Sequence, residues 1–73
     1  MARDVDARDL RCPLPLLRAK QALRDLASGE ALRVRATDVG SVRDFQSFAE
    51  LSGHRLLHQS EEAGVYTHIL VKS

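Results

Sequence analysis

Seventy-three residues are expected to make one domain, spanning 1–73, because a chain this short buries only about 60% of the surface its unfolded form exposes. With 44% hydrophobic and 29% charged residues and no excess of Gly or Pro, the composition excludes a disordered or low-complexity tail. A net charge of +1 and a single cysteine, Cys12, exclude a domain that binds chiefly to phosphates, an internal disulfide and a thiolate-rich zinc site.

The opening stretch through Val5, Ala7 and Leu10 is a candidate for a short first strand. Cys12-Pro13-Leu14-Pro15 follows, and the two prolines mark a helix start just after Cys12, since each fixes φ near the helical value and lacks an N–H that a first turn leaves unpaired. Leu16, Ala19, Ala22, Leu23 and Leu26 then recur at spacings of three and four, and Ser28-Gly29 supplies a left-handed stop. From Leu32 the period changes to two: Leu32, Val34 and Ala36 share one face of a half-buried strand, and Arg33, Arg35 and Thr37 the other.

Ser41 precedes Val42, Phe45, Phe48 and Ala49 at helical spacing, with Asp44 three residues after it in an approximate capping box and Gly53 as the stop. The remainder reads as two strands, His54 to Gln59 and Val65 to Lys72, joined by a five-residue hairpin loop, Ser60 to Gly64. The order is βαβαββ. Two helices with one apolar stripe each close most simply on one face of a mixed four-stranded sheet, giving an α+β two-layer sandwich. The last strand carries large apolar groups on both faces, so periodicity leaves open which face meets the helices. Apolar surface left on the open side is a contact for a second subunit or a partner.

Cys12 is the sharpest chemical feature. A cysteine just before a helix start meets free backbone N–H groups and the positive end of the helix dipole. Arg11 beside it, and Arg18 or Lys20 further along, add positive charge; residues 1–35 hold eight basic against five acidic side chains, and residues 36–73 three against five. Such a setting stabilises a thiolate; the alternative is a buried thiol acting as a small apolar residue. Dithiol exchange is excluded because Pro15 stands where a resolving cysteine would be. His54, His58 and His68 fall in or beside the last strands, and nothing in their spacing brings them to Cys12 as base or metal ligand. What remains is one-thiol chemistry: carrying a group such as a persulfide sulfur, or oxidation as a sensor.

Leu14 and Leu17 lie off the apolar stripe, toward Arg18, Gln21 and Arg24. They are either a docking pair for a protein that must reach Cys12 or are covered by other parts of the fold. Arg33 and Arg35 lack interleaved stacking aromatics, because Phe45 and Phe48 belong to a helix stripe, so direct nucleic-acid binding is not expected. No apolar run reaches the roughly 18 residues of a membrane-spanning helix and no signal peptide is visible, so a cytoplasmic, reducing setting is expected.

Leu10-Arg11-Cys12-Pro13-Leu14-Pro15, Ala36-Thr37-Asp38, Gly40-Ser41-Val42-Arg43-Asp44-Phe45, a Gly-His turn and Gly64-Val65-Tyr66-Thr67 together resemble the TusA family, also called SirA-like. The resemblance implies a small sulfur carrier or sulfurtransferase with a two-layer βαβαββ fold, no cofactor and no metal. By that resemblance Cys12 takes a sulfane sulfur as a persulfide from a cysteine desulfurase or other donor protein and passes it to a downstream acceptor protein. It also implies that Pro13 and Pro15 shape the helix start. The pathway it would serve (tRNA thiolation, molybdenum-cofactor assembly or sulfur oxidation) is left open, and so is the choice between monomer and weak homodimer. The chain departs from the pattern at Asp9, where the family usually has glycine, at Leu14, where some members have an acid, at Val39 in place of proline, and at Ala49, where some have a second cysteine. The reading from another class is a regulatory or redox-responsive interaction module with an incidental thiol.

Overall fold

A computed structural model describes residues 1–73. Its elements run β1 (Arg3–Ala7), α1 (Leu14–Arg24), β2 (Ala31–Ala36), α2 (Ser41–Ser52), β3 (Arg55–Glu62) and β4 (Val65–Val71). They form one four-stranded sheet in the order β1-β2-β4-β3, with β1 parallel to β2 and the other pairs antiparallel. A parallel pair needs a crossover of a dozen residues or more, which α1 and its loops supply.

Both helices cover one face. Leu32, Val34, Phe45 and Leu70 are fully buried there with Ala7 and Ala19, and Ala22, Leu23 and Leu26 complete the cluster. The face that periodicity left open in β4 is now assigned: His68 and Leu70 point to the helices, while Thr67, Ile69 and Val71 stay half-buried on the open face. Arg33 on that open face is paired with Asp4 across the parallel strands. No helix is long and apolar enough to cross a membrane.

Four local expectations change. Helix α1 ends at Arg24, where the Asp25 and Leu26 N–H groups turn back onto the Ala22 and Leu23 carbonyls respectively. Gly29 does adopt a left-handed φ of 87°, but in the turn into β2, where its N–H donates to the Lys72 carbonyl at 2.7 Å. The hairpin loop shrinks from five residues to two: Ser60, Glu61 and Glu62 pair with Thr67, Tyr66 and Val65, and Ala63 and Gly64, at φ 51° and 81°, make a turn of the type whose two central residues both need positive φ. Ser41 is no cap either. Gly40 takes the N-cap position without a side-chain bond, and the Ser41 hydroxyl is drawn inward to His68 Nε2 at 2.9 Å.

Candidate functional site

Because β1 and β2 are parallel, the loops that leave them emerge at the same edge of the sheet. One carries Cys12 to the start of α1, and the other carries Asp38 and Gly40 to the start of α2. They are tied together by the Asp9 N–H, which donates to Thr37 Oγ1 at 2.8 Å. Asp9 stands at φ 66°, a conformation glycine adopts without cost. Asp tolerates it better than most residues.

Cys12 is exposed, so the alternative of a buried structural thiol falls. Its peptide bond to Pro13 is cis. Pro13 is the N-cap residue of α1 and Pro15 lies in the first turn, fully buried. Neither has an N–H to offer. The Leu14 N–H is taken by the Arg11 carbonyl at 2.8 Å and the Leu17 N–H by the Pro13 carbonyl at 3.0 Å. The prolines that start the helix therefore strip its end of most of the amides expected to stabilise an anion.

What reaches the sulfur instead is an acid. Cys12 Sγ donates to Asp44 Oδ2 at 2.8 Å, across 32 residues of sequence. This hydrogen bond, then slight desolvation and the negative charges of Asp44 and Asp38, push the thiol above its ordinary value. In the free chain the sulfur thus faces a carboxylate, where the sequence led one to expect a thiolate stabilised by Arg11 and the helix start shaped by Pro13 and Pro15. Arg11 is exposed, makes no ion pair, and contributes its carbonyl to the turn.

Asp38 lies alongside, with Oδ2 buried and without a hydrogen-bond partner. The same oxygen explains Gly40, since a Cβ there would stand 3.1 Å from it. Beyond Asp44, an open depression of about 470 Å³ is lined by Val39, Gly40, Val42, Arg43, Asp44 and Gln46. Leu14 and Leu17 are 43% and 45% exposed, and with exposed Arg18 they occupy neighbouring positions on α1 beside Cys12.

The histidines do not join this site through Cys12. His68 is fully buried, stacked on Phe45 with ring centroids 4.4 Å apart and held between Ser41 and Gln59. His54 Nδ1 accepts from the Ser73 N–H at 3.1 Å.

Residues 3–73 match the family described as Sulfurtransferase TusA. The chain belongs to that family. The sulfur carrier protein TusA of Allochromatium vinosum is 49% identical over 70 residues, covering 96% of this chain and 91% of the relative. The sulfur carrier protein TusA of Pseudomonas aeruginosa is 43% identical over 68 residues, covering 93% and 86%. Among solved structures, a SirA-like protein from Desulfitobacterium hafniense superposes with a TM-score of 0.83 at 30% identity, covering 94% of this chain and 95% of that one. Cys12-Pro13-Leu14-Pro15 holds the one thiol of the chain, and that thiol is exposed.

Asp44 is the site residue that pattern reading missed, having assigned it to a helix cap. The signal was present in the βαβα order. Two parallel strands put the first turns of both following helices at one edge, so an acid in the first turn of α2 faces whatever starts α1.

Proposed function

We propose that this chain is a sulfur carrier that holds a sulfane sulfur as a persulfide on Cys12. The sulfur comes from a donor protein such as a cysteine desulfurase and goes to an acceptor protein. In loading, Cys12 Sγ attacks the outer sulfur of a donor persulfide: the new S–S bond forms on Cys12, the donor's S–S bond breaks, and the donor leaves as a thiol. Cys12 is oxidised to the persulfide level as the donor sulfur is reduced, and unloading reverses the roles.

The observation that carries this reading is the exposure of the chain's single thiol at a helix start. No second thiol is present to close a disulfide within the chain, so the bound sulfur persists until another protein takes it. Leu14, Leu17 and Arg18 are the proposed docking residues, an apolar pair beside a cation of the kind found in the cores of interfaces. The relatives named sulfur carrier protein support the same role. The reducing interior of a cell is its proposed setting, since a free thiol persists there.

The test is intact mass after incubation with a cysteine desulfurase and cysteine. Wild type is expected to gain the mass of one sulfur atom, removable by a reductant, and Cys12→Ser to gain none. Equal gain in both proteins, or none in wild type, overturns the reading.

A further inference from the structure

The one side-chain hydrogen bond made by Cys12 is to a carboxylate that has no cation to pair with. Asp44 forms no ion pair, its first-turn position on α2 makes no capping bond, and Oδ2 accepts from Cys12 Sγ at 2.8 Å. A first-turn acid ordinarily needs no more than the helix dipole to explain it. Here the carboxylate is instead aimed across the gap between two loops at the one atom that would react.

We propose that Asp44 is a second functional residue of the Cys12 site: it holds and orients the resting thiol and accepts its proton as Sγ attacks a sulfane sulfur. This rests on the carrier reading. The balance is complete without another reagent. The S–H proton passes to Asp44 Oδ2 as the Cys12 S–S bond forms, and from Asp44 to the departing thiolate of the donor as its own S–S bond breaks. Asp44 returns to its carboxylate form.

The arrangement reconciles two observations that otherwise conflict, a thiol built for nucleophilic transfer and an acidic surround that discourages its ionisation. The groups that face the sulfur are Asp44 on α2 and Asp38 on the loop before it, and both push the thiol upward. Arg11 and Arg43, next in sequence to Cys12 and Asp44, are exposed and pair with neither acid. At neutral pH such a thiol is mostly protonated and reacts slowly with oxidants and stray electrophiles, because the thiolate is the nucleophile. A donor persulfide brought to Sγ finds a proton acceptor already in hydrogen-bond reach, which is the geometric requirement for general-base assistance. The exposure of Cys12 leaves room for that approach.

Two rates measured against pH on wild type, Asp44→Asn and Asp44→Ala test this: alkylation of Cys12 by iodoacetamide, and sulfur uptake from glutathione persulfide followed by intact mass. Both variants are expected to lower the alkylation midpoint. Near neutral pH their alkylation should be roughly threefold faster, the larger thiolate fraction being partly offset by weaker nucleophilicity. Their sulfur uptake should slow by roughly tenfold to a hundredfold. The opposite movement of the two rates is the signature of a base that also restrains the thiol. An unmoved alkylation midpoint, or sulfur uptake that quickens with alkylation, overturns the proposal. A wild type that takes up no sulfur overturns the carrier reading itself, and the alkylation profile, which needs no sulfur donor, still reads the hold of Asp44 on the thiol.

Discussion

His68 shows how a single buried polar residue sets the pH response of so small a domain. The Gln59 amide is fixed by three partners: Nε2 donates to the Val42 carbonyl at 3.0 Å and to His68 Nδ1 at 3.0 Å, and Oε1 accepts from Gln46 at 2.9 Å. Nδ1 is therefore an acceptor, and Nε2 carries the proton and donates to Ser41 Oγ. A second proton on the ring would face the Gln59 amino group, donor against donor, inside the core. Burial holds His68 at about 4, against 6.5 for a free imidazole. The unfolded chain consequently binds more protons between these values, so stability is complete above pH 6.5 and falls as pH drops toward 4, by up to about 3 kcal/mol. Asp6, held at about 2 by the Arg8 side chain and backbone, loses its contribution only below that window. Urea midpoints are expected to fall between pH 7 and pH 4.5 in wild type and to stay nearly level in His68→Gln; a parallel fall in the variant would refute the assignment. Nothing in the alternation of β4 marked this residue, because Thr67 and Ile69 on one side and His68 and Leu70 on the other look equally fit for a core. Cys12, by contrast, was legible at once, since its place before two prolines needs only local rules.

At the scale of elements, helix and strand cores were readable and their ends were not. The apolar stripe of α1 and the alternation of β2 found their buried faces because each is imposed by a single interface. The β3–β4 turn was misjudged for a specific reason. Ser60, Glu61 and Glu62 lie at the exposed end of an edge strand, where neither face requires an apolar residue, so pairing leaves no trace in polarity. The register also slips near Leu57, where Leu56 faces Leu70 and His58 faces Ile69, and that bulge leaves Leu57 53% exposed. The turn that results asks Ala63 to sit at φ 51°, a conformation that costs an ordinary L residue about 1 kcal/mol or more and that asparagine adopts more readily. Ala63→Asn is therefore expected to stabilise the domain by roughly 0.5–1 kcal/mol, read as a rise of several degrees in Tm, with the Cys12 alkylation rate unchanged. A lower Tm would mean that the turn does not have this geometry in solution.

For the molecule as a whole, one residue links the stability of the sheet to the geometry of the site. Strand order follows from where apolar residues are needed: β1, with Asp4 and Asp6 exposed, takes an edge, while β2 and β4 contribute Leu32, Val34 and Leu70 to the centre. Helix α1 is fastened by Ala19, Ala22 and Leu23. Helix α2 buries only Phe45 and Ser41, with Phe48 and Ala49 packed partly against the core. Phe45 is thus the anchor of α2, stacked on His68 one residue beyond Asp44. Removing a buried Phe costs about 3–5 kcal/mol, whereas 73 residues at about 0.05–0.15 kcal/mol each support only about 4–11 kcal/mol in total. Phe45→Ala is accordingly expected to lower Tm by about 12 °C or more, at about 4–8 °C per kcal/mol, and to raise the Cys12 alkylation rate at neutral pH as α2 loosens and carries Asp44 away from the sulfur. Leu17→Ala, at an exposed position of similar size, should stay within about 0.5 kcal/mol of wild type. Thermal unfolding followed by circular dichroism, run beside the alkylation assay, separates the two cases. A Phe45→Ala protein that is destabilised yet alkylates at the wild-type rate would show that Asp44 is held at Cys12 by its own loop rather than by the packing of the helix.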